Sequence, residues 1–140
     1  MKEFGARLGM FLNGGETIEL IGDVGAGKTT ITKGIAKGLG VTENVSSPSF
    51  TVSRVYDGRD GIKLNHYDFY RLNDAGLMSE ELTETLLNPK TVTIIEWGGL
   101  VSGILPDDKL SINITPQADN LRQIEIKAGG LISQALLDRL

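Results

Sequence analysis

One stretch near the beginning constrains this chain more than any other feature. It fits the phosphate-loop pattern G-x-x-x-x-G-K-S/T and runs Gly22-Asp23-Val24-Gly25-Ala26-Gly27-Lys28-Thr29-Thr30. Residues 17–21 before it predict a short strand, and the apolar spacing of residues 29–39 after it predicts a helix. This order of strand, loop and helix is what separates a phosphate loop from a chance glycine-rich turn.

The composition of this loop predicts a binding site for a nucleoside triphosphate. Its glycines let the backbone curl so that several N–H groups point at one anion, and the helix dipole adds positive charge there. In such loops the lysine, here Lys28, reaches the β- and γ-phosphates, and the next hydroxyl, that of Thr29, ligates Mg²⁺. We therefore expect these residues to bind the nucleotide: Asp23, Val24, Gly25, Ala26, Gly27, Lys28, Thr29 and Thr30.

Composition excludes several other classes of protein. The 140 residues predict a single domain, 1–140, of which 40% are hydrophobic and 23% are charged. A net charge of −4 gives no basic surface for direct nucleic-acid binding, and the absence of cysteine excludes disulfides and cysteine-ligated zinc. Because no apolar run is long enough to span a membrane and no signal peptide is present, we expect a cytoplasmic protein.

Hydrophobic periodicity predicts alternating helices and strands along the rest of the chain. Helices are expected at 1–12, 29–39, 73–87 and 131–140, and strands at 17–21, 50–56, 62–70, 91–95, 109–115 and 121–127. Within 73–87, Ser79 is expected to cap a second helical piece. This order predicts an α/β sandwich like that of P-loop NTPases, with a mixed sheet, antiparallel hairpins and flanking helices. Strands 17–21 and 91–95 should be parallel neighbours, with ligands bound at their carboxyl ends.

Two acidic residues are candidates for chemistry beside the loop. Glu96 follows the apolar strand 91–95, where phosphate-loop proteins place the acid that holds Mg²⁺; a solvated strand-end carboxylate is the alternative. Asp68 shares a predicted strand face with His66 and Tyr70. It could orient an attacking water or lie behind the metal, and a turn-capping role is the alternative.

A histidine, a tryptophan and a hydroxyl-rich loop are further candidates. His66, the only histidine, is expected to be a packed, hydrogen-bonded core residue. Trp97, the only tryptophan, either fills the core or lines the nucleotide site. The loop after the phosphate-loop helix lies where GTPases place a nucleotide-sensing switch, and its hydroxyl residues are switch candidates or ordinary turn residues: Ser47, Ser49 and Thr51.

Taken together, these segments resemble the TsaE family, small bacterial ATPases of tRNA threonylcarbamoyladenosine synthesis. The phosphate loop alone would be unspecific, and the combination of segments in the family's order and spacing is what makes the resemblance specific. Besides the loop, the segments are Ser47-Pro48-Ser49-Phe50-Thr51, His66-Tyr67-Asp68-Phe69-Tyr70-Arg71-Leu72 and Glu96-Trp97.

The resemblance implies a slow, Mg²⁺-dependent ATPase that is stimulated by TsaD- and TsaB-like partners and meets tRNA only through their complex. It implies that Thr29 and Glu96 ligate Mg²⁺, that Lys28 contacts the phosphates and that Asp68 is required for hydrolysis. It also places Trp97 beside the nucleotide and Arg122 near it.

This chain departs from the family pattern in three places. Relatives usually carry further residues before the first helix, so an N-terminal strand and a nucleotide contact are expected to be missing. Gly98-Gly99 stands where proline usually follows the Glu-Trp pair, which should loosen that loop, and Ser49 replaces a common threonine.

Two other functions fit the same loop: a small P-loop kinase, and a nucleotide-dependent switch or binding module with negligible turnover. A kinase usually needs an arginine-bearing lid, and this chain has few arginines and no long insertion to form one. A GTP switch is disfavoured because no Asn-Lys-x-Asp segment occurs.

Overall fold

The computed structural model describes residues 1–23, 25–48, 52–70, 72, 76, 78–118 and 121–140. Three residues with predicted roles, Val24, Ser49 and Thr51, lie outside these ranges. The helices are α1 (Lys2–Met10), α2 (Lys28–Gly38), α3 (Met78–Leu87) and α4 (Leu131–Asp138). The strands are β1 (Thr17–Ile21), β2 (Ser53–Asp57), β3 (Lys63–Asp68), β4 (Thr91–Glu96), β5 (Leu110–Pro116) and β6 (Arg122–Ala128).

The strands form one six-stranded sheet in the order β2-β3-β4-β1-β5-β6. The phosphate-loop strand β1 lies between β4 and β5 and is parallel to both, which confirms the expected pairing of 17–21 with 91–95. Strand β3 is parallel to β4, while β2 and β6 add antiparallel hairpins at the two edges. The predicted mixed α/β sheet is therefore confirmed. The carboxyl ends of the parallel strands β1, β3 and β4 lie at the same end of the sheet.

Helices cover both faces of the sheet. Successive residues of a strand point to opposite faces, and in β4 Ile94 packs in the core under α1 and α2 while Ile95 packs in a second core under α3. Every residue of β4 is buried, as its unbroken β-branched run predicts. None of the helices within the described residues combines the length and the apolar character needed to cross a membrane.

Helices α1 and α2 pack with their backbones in close contact. A Cβ atom on Gly9 of α1 would lie 2.2 Å from the Ile35 carbonyl oxygen, and one on Gly38 of α2 would lie 2.0 Å from that of Ala6. Only glycine fits at these two positions. This contact fixes α2, the helix that follows the phosphate loop.

The structure differs from the prediction in two connections. Helix α3 begins at Met78, so Ser79 lies inside it and is not its N-cap; the Ser79 hydroxyl donates to the Gly76 carbonyl oxygen at 2.8 Å. After β4, Gly98–Val101 forms a 3₁₀ turn that periodicity did not predict. The turn between β2 and β3 does use positive φ, at Asp60 (56°) and Gly61 (76°), as its composition predicts.

Candidate functional site

The connection from β1 to α2 turns on glycines. Gly25 and Gly27 have φ values of 82° and 110°, in the left-handed region that favours glycine. Gly27 is the N-cap of α2, so the helix begins at Lys28, directly after the turn. The first N–H groups of a helix have no partner inside it, which makes this end of α2 suited to an anion.

A cavity of about 400 Å³ lies beside this turn. It brings together residues from the loop, from the segment after α2, and from the ends of β3 and β4. Its lining residues are Gly25, Gly27, Lys28, Thr29, Thr30, Ser47, Asp68, Tyr70, Glu96 and Trp97. Most of the residues predicted from separate segments of the sequence therefore meet in one place.

Two buried carboxylates end the neighbouring strands at this cavity. Asp68 of β3 and Glu96 of β4 are register partners, and their residues are 8% and 3% exposed. One oxygen of Asp68, Oδ1, accepts the Tyr70 backbone N–H at 3.0 Å, and Oδ2 accepts the Ser47 hydroxyl at 3.5 Å. These contacts orient the Asp68 carboxylate and tie it to the loop that contains Ser47.

The Glu96 carboxylate is held by a hydrogen bond with His66. The distance between His66 Nε2 and Glu96 Oε2 is 2.5 Å, and both side chains are almost fully buried. The sequence predicted a packed core histidine, which is confirmed, but it did not identify the partner. A signal was available, because His66 lies two residues before Asp68 on one predicted strand face.

Lys28 is held at the mouth of the loop in this structure. Its Nζ donates to the Gly22 carbonyl oxygen at 2.5 Å and lies 4.0 Å from the centroid of the Trp97 ring. Burial lowers the pKa of Lys28, and the nearby carboxylates of Glu96, Asp68 and Asp23 oppose that shift without cancelling it.

Trp97 forms a wall of the cavity and also packs against the second core. Its backbone has φ 57°, which is uncommon for a residue other than glycine, and its ring tilts against Tyr70 with the centroids 4.8 Å apart. The ring therefore packs against the second core and also lines this cavity, and its contact with a nucleotide stays a prediction.

Arg122 and Asp23 do not line this cavity. Arg122 Nε donates to the Ala26 carbonyl oxygen at 3.1 Å, so this arginine touches the backbone of the loop. The exposed Asp23 lines a second cavity of about 450 Å³, to which Trp97, Asn113 and Thr115 also contribute. Because Lys28 and both buried carboxylates line the first cavity, we place the candidate site there.

The donors around the first cavity suit a hard divalent cation. The Thr29 hydroxyl and the Asp68 and Glu96 carboxylates are oxygen ligands, and the two carboxylates exceed the single positive charge of Lys28. Within the described residues, no three His, Cys, Asp or Glu side chains form a metal site by themselves. These oxygens would supply only part of a coordination shell, and phosphate oxygens and waters usually complete Mg²⁺ sites in proteins.

The fold and the site together define a class. This is an α/β protein with a mixed six-stranded sheet, a phosphate-loop sequence between a central parallel strand and a helix, and two acidic residues at the neighbouring strand ends. The model of the family described as "Threonylcarbamoyl adenosine biosynthesis protein TsaE" matches residues 1–124. The chain belongs to the TsaE family.

Individual relatives agree with this assignment. The chain is 39% identical over 132 residues to the tRNA threonylcarbamoyladenosine biosynthesis protein TsaE of Bacillus subtilis, covering 93% of this chain and 80% of that protein. It is 36% identical over 135 residues to the protein of the same name from Streptomyces coelicolor, covering 93% and 91%. The crystal structure of Bacillus subtilis YdiB superposes with a TM-score of 0.80 and 33% identity, over 98% of this chain and 84% of that one.

Proposed function

We propose that this protein binds ATP with Mg²⁺ in the cavity beside Lys28 and hydrolyses it slowly, as the ATPase of tRNA threonylcarbamoyladenosine synthesis. One observation carries the proposal. The same cavity joins a phosphate-loop lysine and helix N-terminus to two buried carboxylates at the ends of adjacent strands. These are the parts that phosphoryl transfer needs: a cation for the phosphates, oxygen ligands for Mg²⁺, and an acid to position water.

Each residue has a distinct part in this proposal. Lys28 leaves the Gly22 carbonyl to contact the β- and γ-phosphates, while the N–H groups of residues 25–30 surround them. Thr29 and Glu96 hold Mg²⁺, which when bound neutralises charge on the phosphate oxygens. Asp68, held by Ser47 and by the Tyr70 N–H, orients the attacking water. Trp97 lies beside the nucleotide, and Arg122 supports the loop through Ala26.

Membership of the TsaE family supports the pathway and the partners in this proposal. The relatives in Bacillus subtilis and Streptomyces coelicolor are named as tRNA threonylcarbamoyladenosine biosynthesis proteins. TsaD- and TsaB-like proteins are the proposed partners, in the cytoplasm, and they carry the tRNA. A net charge of −4 supports this indirect arrangement, because direct binding to a phosphate backbone requires clustered positive charge.

The test is release of phosphate from ATP by the purified protein, measured with Mg²⁺ or EDTA and with or without TsaD and TsaB. We expect slow, Mg²⁺-dependent release that rises when the partners are added. Two results would contradict the proposal: release that is equally fast without the partners, or transfer of the phosphoryl group to a small acceptor, which would indicate a kinase.

A further inference from the structure

The buried pair of His66 and Glu96 carries an inference about the metal site. We propose that His66 is a positioning residue, which holds Glu96 in the orientation that binds Mg²⁺. This inference rests on the proposed function, because it takes Glu96 as a ligand of the metal.

The sheet register explains how the two side chains meet. In the parallel pair of β3 and β4, His66 is the partner of Ile94, and Asp68 is the partner of Glu96. The His66 side chain therefore lies on the same face of the sheet as the two carboxylates, two residues before them along the strands. It reaches forward to Glu96, with Nε2 and Oε2 2.5 Å apart.

The surroundings of the imidazole assign its hydrogen-bonding role. His66 is fully buried, and Nδ1 has no hydrogen-bond partner among the described residues. A neutral imidazole with its proton on Nε2 donates to Glu96 and leaves only a bare acceptor at Nδ1. The other arrangements either lose the bond to the carboxylate or bury an unpaired N–H. His66 is therefore a donor to Glu96.

That bond has a consequence for the cavity. It uses one lone pair of Oε2 on a carboxylate that lines the cavity, so Oε1 keeps both of its lone pairs for a cation. A carboxylate without its partner would rotate and would lose the fixed position of that oxygen. Partners of this kind behind a metal ligand typically contribute about 10- to 100-fold in metal affinity.

The alternative is that His66 only fills space in the core, and two substitutions separate the two roles. His66→Met keeps apolar bulk but removes the donor, whereas His66→Gln keeps a side-chain N–H. As a matched control, Asn65→Leu changes a buried polar residue on the same strand that faces α3 instead. The melting temperature of each variant reports its effect on folding.

The experiment measures how tightly Mn²⁺ binds to the complex of the protein with a non-hydrolysable ATP analogue. The electron paramagnetic resonance signal of free Mn²⁺ reports the unbound fraction. We expect His66→Met to weaken Mn²⁺ binding by about 10- to 100-fold. His66→Gln should recover part of that loss, and Asn65→Leu should match the parent. Affinity for the analogue in EDTA should be unchanged in all three variants.

Glu96→Gln, measured beside them, shows which proposal fails. If Glu96→Gln weakens Mn²⁺ binding but both His66 variants match the parent, His66 is a core residue and only this inference is overturned. If Glu96→Gln has no effect, the metal role of Glu96 in the proposed function fails, and the inference fails with it. Equal losses in His66→Met and His66→Gln, with lowered melting temperatures, would indicate a structural role alone.

Discussion

Two hydrogen bonds hold the Asp68 carboxylate at the cavity. Its carboxylate is buried and already oriented by the Tyr70 N–H and the Ser47 hydroxyl. A group fixed in this way suits the positioning of a water molecule. It is poorly suited to retaining the diphosphate part of a nucleotide, because its negative charge repels phosphate oxygens.

Replacing Asp68 by Asn should therefore separate binding from turnover. We expect Asp68→Asn to bind ATP within a few-fold of the parent and to lose hydrolysis by about a hundredfold, since it removes an interaction used in the transition state. Partner-stimulated turnover and nucleotide affinity, measured on one preparation, test this. Asp60→Asn, in the exposed turn after β2, is the control and should match the parent. Normal turnover in Asp68→Asn would reduce this residue to a structural one.

Among the elements, α1 and α2 are tied together by one arginine from the β2–β3 connection. The guanidinium of Arg59 donates to backbone carbonyl oxygens at the end of α1, those of Gly9 (3.2 Å), Met10 (3.0 Å) and Leu12 (2.6 Å). It also donates to that of Gly38 in α2, at 2.9 Å. The last carbonyls of a helix lack intrahelical partners and carry the negative end of its dipole. A cation therefore suits the C-terminal ends of α1 and α2.

Removing this cap should destabilise the fold without changing the cavity. We expect Arg59→Met to lower the free energy of unfolding by about 2–3 kcal/mol, the size expected for charge-assisted hydrogen bonds at partly buried helix ends. Arg59→Lys should keep only part of this stabilisation, because an ammonium cannot reproduce the planar fork of donors of a guanidinium. Urea unfolding measures this, with Arg54→Met on the exposed edge strand as control. Equal midpoints for Arg59→Met and Arg54→Met would contradict the role.

The elements themselves were largely predictable from sequence because local patterns determine them. The strand at 91–95 has the β-branched composition of a strand buried on both faces, and β4 is one. The helix after the phosphate loop begins one residue earlier than expected, at Lys28, because Gly27 caps it. The contacts within the site could not be predicted in this way, because they join distant segments. The pairing of His66 with Glu96, for example, depends on the register of β3 against β4, which no local pattern specifies.

At the scale of the whole molecule, the sheet order assembles the candidate site. Residues about forty positions apart in sequence, such as Lys28 and Asp68, share a cavity because β4 lies between β3 and β1. Arg122 reaches the carbonyl of Ala26 because β5 pairs with β1 and β6 pairs with β5. The sequence predicted the residue types expected in a phosphate-binding site. The order of the strands determines which of these residues line the same cavity.

The central claim is that this cavity binds the phosphates of a nucleoside triphosphate through Lys28. It is tested most directly by titrating a fluorescent ATP analogue, in competition with unlabelled ATP, into the parent, Lys28→Ala and Lys33→Ala. Lys33 is an exposed lysine of the same helix and controls for loss of charge alone. We predict that Lys28→Ala loses at least about thirtyfold in affinity, roughly 2 kcal/mol, while Lys33→Ala matches the parent. Unchanged affinity in a folded Lys28→Ala variant would contradict the account.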